Sequence, residues 1–200
     1  MKIVVATNNK GKLKEIKEIL GESHEILSLE DIGFFEDIPE TEDSFLKNAM
    51  LKAKAVSVKT GLPALADDSG LVVNALNGAP GIYSARYAGE PSNSENNNKK
   101  LLNAMGNKKN REAHFVASCV LWFPSGTFLH GEGKVFGEIL KAPQGEQGFG
   151  YDPLFFYPPL NKSFAELSSE EKNSLSHRGT ALKTLQEILN IYQKNHRGKA

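Results

Sequence analysis

The sequence predicts a mixed α/β fold in which helices flank a sheet that is not wholly parallel. Two observations lead there. Short apolar runs alternate with stretches of helical period. Residues 3–6 precede Leu13, Ile16, Ile19 and Leu20, and an apolar stripe within 43–59 precedes the run 62–66. Two strand-like segments, 113–123 and 128–140, then follow each other across a short turn at Gly126. That turn leaves no room for the crossover a parallel pair needs.

Taken in order, residues 3–6 read as a buried first strand. A polar turn, Thr7, Asn8, Asn9, Lys10, Gly11 and Lys12, leads into the first helix, which Gly21 stops. Strand, turn and helix in this order aim backbone N–H groups and a positive helix end at the turn, which favours an anion. Residues 25–29 form a second strand, and 31–40 a loop or irregular strand. A helix over 43–59 follows, capped by Thr41 or Asp43, with Phe45, Ala49, Ala53 and Val56 on one stripe and Gly61 at its end.

The strand over 62–66 runs abruptly into Asp67, Asp68, Ser69 and Gly70 before a second apolar run, 71–73. One reading is a turn, since Asp, Ser and Gly are ordinary turn residues. The other is functional. Two carboxylates in apolar sequence are costly to bury unless paired, hydrogen-bonded or metal-bound. Adjacent strand residues point to opposite faces, so only one of the two acids faces a given cleft.

Residues 78–81 form a turn, and the Asn-rich stretch 90–98 reads as a mobile surface loop. A short helix covers about 97–105 and an exposed turn 106–110. Gly131 and Gly133 punctuate the stretch 128–140, which is one strand or two. Gly145, Gly148 and Gly150 let the backbone approach a ligand closely. Residues 154–157 form a strand closed by Pro158 and Pro159. Ser168 and Glu171 form a capping box for a short helix ending near Leu175. The last helix begins near His177 and buries Ala181, Leu185, Ile188, Leu189 and Tyr192. No internal repeat or Pro-rich linker marks a boundary, so the 200 residues read as a single domain.

Composition narrows the function classes. The 24 basic residues balance the 24 acidic ones, which argues against nucleic acid or an anionic membrane as the main partner. No apolar run approaches the ~20 residues of a membrane span, and the N-terminal apolar segment is too short for a signal peptide. The single cysteine, Cys119, sits in an apolar run and reads as a buried thiol in a reducing compartment. The expectation is a soluble, cytoplasmic protein.

Several segments, in order, carry a resemblance. They are Ala6-Thr7-Asn8-Asn9 with Lys12 and Glu15, Asn48-Ala49 with Lys52-Ala53, Ala66-Asp67-Asp68-Ser69-Gly70-Leu71, Pro80-Gly81-Ile82-Tyr83-Ser84-Ala85-Arg86-Tyr87, Gly148-Phe149-Gly150-Tyr151-Asp152-Pro153, and Ser176-His177-Arg178. From Ile3 to about Leu189 the chain resembles the non-canonical purine nucleoside triphosphate pyrophosphatases, also called inosine triphosphate pyrophosphatases or XTP/dITP diphosphatases. The resemblance implies hydrolysis of dITP, ITP and XTP to the monophosphate and pyrophosphate with a divalent ion, usually Mg²⁺. It also implies an elongated two-lobed α/β fold with the substrate in the cleft between lobes, and a homodimer.

The resemblance further assigns roles. Asp68 matches the family's proton acceptor, and Glu40 with Asp68 its metal-associated acids, although Glu36, Asp37, Glu42 and Asp43 lie close to Glu40. Mg²⁺ keeps several waters, so one or two carboxylates suffice. Thr7 to Lys12 and Lys172 suit the phosphates. Ser69 is a phosphate or metal-shell donor, or a turn residue. Phe149 suits stacking on a purine, or plain core packing. With Gly150 and Tyr151 it forms the base loop; Asp152 accepts ring N–H groups, and His177 and Arg178 donate to a 6-keto oxygen. Adenine, with a donor at position 6, would leave those donors unpaired. Pro80 to Tyr87 reads as scaffold or dimer contact, and the polar 92–98 tract as variable sequence that does not touch the site. Competing readings are a catalytically silent nucleotide sensor, a pyrophosphatase for another modified nucleotide such as a pyrimidine triphosphate, and a single-strand nucleic-acid module, which the zero net charge disfavours.

Overall fold

The structure is a computed structural model that describes residues 1–196. Its regular elements are β1 (Lys2–Val5), α1 (Lys10–Leu20), β2 (Glu25–Leu27), α2 (Phe45–Thr60), β3 (Ala64–Val73), α3 (Ser94–Met105), β4 (Glu112–Trp122), β5 (Phe128–Ile139), β6 (Phe155–Tyr157), β7 (Lys162–Ser163), α4 (Ser169–Leu175) and α5 (His177–His196). The strands form one seven-stranded sheet in the order β2-β1-β3-β4-β5-β6-β7. It is mixed: β1 pairs parallel with β2 and β3, while β6 pairs antiparallel with β5 and β7.

The chain divides into two compact units, each discontinuous in sequence. Among the described residues, unit 1 holds 1–68, 117–133 and 178–196; unit 2 holds 69–116 and 134–177. In unit 1 the central strands β1, β3 and β4 are buried on both faces. Ile3, Val5, Leu65, Ala117, Cys119 and Leu121 pack against Ile16 and Leu20 of α1 and Leu182, Leu185 and Leu189 of α5. The alternate residues Val4, Ala6, Ala64, Ala66 and Val120 pack against Ala49, Ala53 and Val56 of α2. Unit 2 has its own core, centred on Leu71, Leu101, Phe115, Ile139, Leu154, Phe155 and Phe164.

Several expectations need correction. Residues 67–70 are not a turn and do not end a strand: β3 runs unbroken through both aspartates, because their carboxylates find partners on either face. Lys10, Gly11 and Lys12 already belong to α1, capped by Asn9, whose side chain accepts from the Lys12 N–H at 3.0 Å. The cap of α2 is Ser44 rather than Thr41 or Asp43; its Oγ accepts from the Lys47 N–H at 3.3 Å. The 90–98 stretch is not a loop throughout, since Asn93 caps α3 and the helix starts at Ser94. Residues 128–139 make one strand. Gly131 lies inside it, where a Cβ would sit 2.2 Å from the Ala181 carbonyl, so the glycine lets α5 lie against β5. The capping box at Ser168 and Glu171 is present and opens α4. Among the described residues no helix is long and apolar enough to cross a membrane.

Candidate active site

The alternation of β3 sends Asp67 and Asp68 to opposite faces. Both are buried, at 0% and 4% exposure. Asp67 faces α1 and α5. Lys12 Nζ lies 2.6 Å from its Oδ1, and Arg178 reaches both oxygens at 3.3 Å through Nε and Nη2. Arg178 Nη1 bonds the Glu15 carboxylate, and Cys119 Sγ lies 3.9 Å from Asp67 Oδ2. Lys12 and Glu15 share this face because they are three residues apart on α1. Asp67, Glu15, Lys12 and Arg178 thus join in one ion set, buried except at Lys12. Burial opposes ionisation of Asp67, but the Arg178 and Lys12 charges outweigh it and hold the carboxyl well below the usual range. Burial, reinforced by Asp67, pushes the Cys119 thiol up, so it is inert.

Asp68 faces α2. Lys52 Nζ lies 2.5 Å from Glu40 Oε1, 3.8 Å from Asp68 Oδ1 and 2.9 Å from the Asp67 carbonyl oxygen. Burial raises the Asp68 carboxyl above the ordinary carboxylate range; Lys52 and Lys12 pull it down only in part, and Glu40 and Asp67 add to the rise. Lys52 joins this acid cluster, although the sequence motifs assign it no role. A signal for it exists: a lysine beside Asn48, Ala49 and Ala53 lies on the buried side of an otherwise amphipathic helix. Glu40 sits on an irregular stretch before α2 and is tied down by Lys52.

The aromatic cluster is in unit 2. Asp152 and Lys172 are both buried, with Lys172 Nζ 2.6 Å from Asp152 Oδ2. The same Oδ2 accepts from the Phe149 N–H at 2.8 Å, and Lys172 Nζ stands 4.7 Å from the centre of the Phe149 ring. Gly148 makes this possible: its φ is +76°, and a Cβ there would fall 2.2 Å from Asp152 Oδ2. The Tyr151 hydroxyl donates to the Ser84 carbonyl at 2.7 Å and its ring lies in the unit 2 core. His177 stacks on Phe115, with ring centres 4.7 Å apart.

The sequence-predicted residues therefore gather in two groups. Lys12, Glu40, Asp68 and Arg178 lie in unit 1 with Thr7, Asn8, Asn9, Lys10 and Gly11; Ser69, Phe149, Gly150, Tyr151, Asp152, Lys172 and His177 lie in unit 2. Four placements differ from expectation. Ser69 is in a strand, so its turn role falls away. Tyr151 turns its hydroxyl onto backbone. Arg178 has three nitrogens engaged by Asp67 and Glu15, so its guanidinium is committed to a buried ion set. The 92–98 tract does touch the loop at Phe149, since Asn98 Nδ2 donates to the Gly150 carbonyl at 3.0 Å. The segment 80–87 is scaffold within unit 2: Ser84 Oγ accepts from the Leu71 N–H, and Asn97 Nδ2 donates to the Ala85 carbonyl.

Residues 3–188 match the Ham1 family. The chain belongs to the Ham1 family. A Flavobacterium johnsoniae dITP/XTP pyrophosphatase is 50% identical to this Ham1 chain over 189 residues, covering 94% of the chain and 98% of the relative. A Thermus thermophilus dITP/XTP pyrophosphatase is 52% identical over 191 residues, 94% of this chain and 91% of its own. The Staphylococcus aureus Ham1 protein structure superposes with a TM-score of 0.85 at 43% identity, covering 95% of this chain and 98% of that one.

Proposed function

We propose that this Ham1-family chain hydrolyses dITP and XTP, and ITP with them, to the monophosphate and pyrophosphate. The observation that carries this is the Glu40–Lys52–Asp68 cluster on one face of β3, in a chain half-identical along nearly its whole length to dITP/XTP pyrophosphatases.

Asp68 is the proton acceptor. Its carboxylate takes a proton from water as the water oxygen bonds the α-phosphorus. The bond from that phosphorus to the bridging oxygen breaks, and pyrophosphate leaves. A carboxyl raised above its usual range holds the proton better than an ordinary aspartate does. Lys12, Lys52 and the residues Thr7 to Gly11 at the start of α1 bind the polyphosphate. Glu40 and Asp68 would hold a divalent ion, Mg²⁺ by preference. Two carboxylates fit an ion that completes its oxygen set with water and substrate phosphate. When bound, that ion polarises phosphoryl oxygens and lowers the pKa of water.

Phe149 stacks on the base, Asp152 accepts a ring N–H, and His177 donates to the 6-keto oxygen. Lys172 orders Asp152 and serves the phosphates if the loop moves. Arg178 pairs with Asp67 and Glu15, and a base contact by Arg178 requires that pairing to loosen. An elongated two-lobed shape with the substrate cleft between lobes, the single-domain organisation and a homodimer belong to this proposal through the family resemblance.

The test is an assay with Mg²⁺ on ITP, dITP, XTP, GTP, ATP and dTTP that resolves pyrophosphate from orthophosphate. Pyrophosphate from ITP, dITP and XTP, with ATP and dTTP nearly untouched, is expected. Orthophosphate would place the attack at the γ-phosphorus and sink the role of Asp68. Binding without turnover would favour a nucleotide sensor.

A further inference from the structure

Asn98 belongs to α3, yet its side chain reaches the base loop. Its Nδ2 donates to the Gly150 carbonyl at 3.0 Å. The amide orientation follows from that partner, because a flipped Asn98 would set its oxygen against a carbonyl. Its Oδ1 is buried and makes no hydrogen bond among the described residues. The bond to Gly150 is therefore what the polar end of this side chain contributes.

Gly150 is where the loop can turn. It sits at φ +63° and, lacking a Cβ, has soft backbone torsions. On one side Tyr151 is fixed, its ring in the core and its hydroxyl on the Ser84 carbonyl. On the other side is Phe149. Rotation at Gly150 swings Phe149 relative to the fixed Tyr151, and the Gly150 carbonyl moves with that rotation. Asn98 grips that carbonyl from a helix whose own apolar residues, Leu101 and Met105, are buried in the unit 2 core.

We infer that Asn98 is a positioning residue of the base-reading loop. By holding the Gly150 peptide it keeps the Phe149 ring set for the purine. The inference rests on the reading of Phe149 as the stacking platform. Asn98 acts only through that ring, and it affects binding of the base more than the hydrolytic step.

The experiment measures kcat and KM for dITP, and the melting temperature, of Asn98→Leu and Asn98→Asp in the full chain, each with Phe149 intact and in a Phe149→Ala background. Both variants lose the donor; Asp keeps the shape. Gly150 is half-buried, so in Asn98→Leu water takes up the freed carbonyl and the fold is kept, while Asn98→Asp sets a carboxylate against that carbonyl and is expected to raise KM at least as much. KM is expected to rise about five-fold, as for one ordinary hydrogen bond, with kcat changed less than KM. In the Phe149→Ala background the same substitutions are expected to add nothing, the mark of a shared pathway. An unchanged KM, an equal rise in both backgrounds, or an effect on melting temperature alone would overturn the inference. If Phe149→Ala by itself leaves KM at the wild-type value, the stacking reading fails and takes this inference with it.

Discussion

The two faces of β3 treat neighbouring carboxylates in opposite ways. Asp67 meets Lys12, Arg178 and, through Arg178, Glu15, while Asp68 meets Lys52, which Glu40 shares at 2.5 Å. The more deeply buried acid is the one held ionised, and the less buried one is raised. Burial pushes both carboxyls up; on Asp67 the added Arg178 charge, with Lys12, outweighs it, while on Asp68 Lys52 and Lys12 offset it only in part. One face holds Asp67 in an ion set that joins α1, β3 and α5. The other leaves Asp68 with a raised carboxyl. Asp152 in unit 2 has a buried lysine and a backbone N–H on the same oxygen.

The strongest way to break this comparison is Asp68→Asn. If Asp68 is the proton acceptor, turnover of dITP falls by about 10²–10⁴-fold. Stability moves the other way. An acid whose folded-state pKa is raised costs stability above that pKa, and the cost disappears below its unfolded value. At neutral pH the metal-free Asn variant is therefore expected to melt higher than wild type. A lower melting temperature together with near-normal turnover would erase the contrast between the two faces.

Asp67→Asn comes next. Removing one member of a buried ion set is expected to cost about 3–5 kcal/mol in urea unfolding. A loss under about 1 kcal/mol would mean that Lys12 and Arg178 pair elsewhere. The pH sign is opposite to that of Asp68. A depressed pKa contributes stability that is present above the unfolded value, about 3.9, and is lost as pH falls toward the folded one. Wild type should lose stability steeply below about pH 4, and Asp67→Asn should lose less over that window.

Lys172→Met sharpens the position of unit 2. It removes a donor to Asp152 Oδ2 and leaves the Phe149 N–H on the same oxygen, so the expected loss is smaller, about 1.5–3 kcal/mol, with weaker base binding measured as a higher KM for dITP. An effect as large as that of Asp67→Asn would show that the Phe149 N–H does not share the load.

The gentlest test is the acid limb of kcat/KM against pH. With Asp68 raised, that limb lies above the ordinary carboxylate value of 3.8. Raising the Mg²⁺ concentration should move it to lower pH, since a nearby cation favours the carboxylate. A limb that ignores the metal would separate Asp68 from the metal site.

Much of the fold is legible in the amino-acid order alone. The helices at 10–20, 45–60 and 177–196 announce themselves by apolar period, the α4 capping box by Ser168 and Glu171, and the opposite facing of Asp67 and Asp68 by strand alternation, whereas the first turn of α3 reads as loop. Gly148 and Gly150 mark the turn that carries Phe149. Less legible are the caps of α1 and α2, because several polar residues compete at each start and only geometry selects one. Lys52 is hard to single out because a lysine within an apolar stripe ordinarily reaches the surface. Asn98 is hidden among its polar neighbours, since nothing in a run of asparagines tells which one faces inward.

What the sequence determined by itself is local: which stretches are helix or strand, which residue types suit a polyphosphate and a purine, and the family those motifs resemble. Tertiary structure decided which charges meet. Asp67 reads as a turn residue until Lys12, 55 positions before it, and Arg178, 111 positions after it, arrive on the same face. A charge is stable in the core only beside its counter-charges. Those come from elements far apart in the chain, so neither spacing nor composition along β3 could have shown why its two aspartates differ.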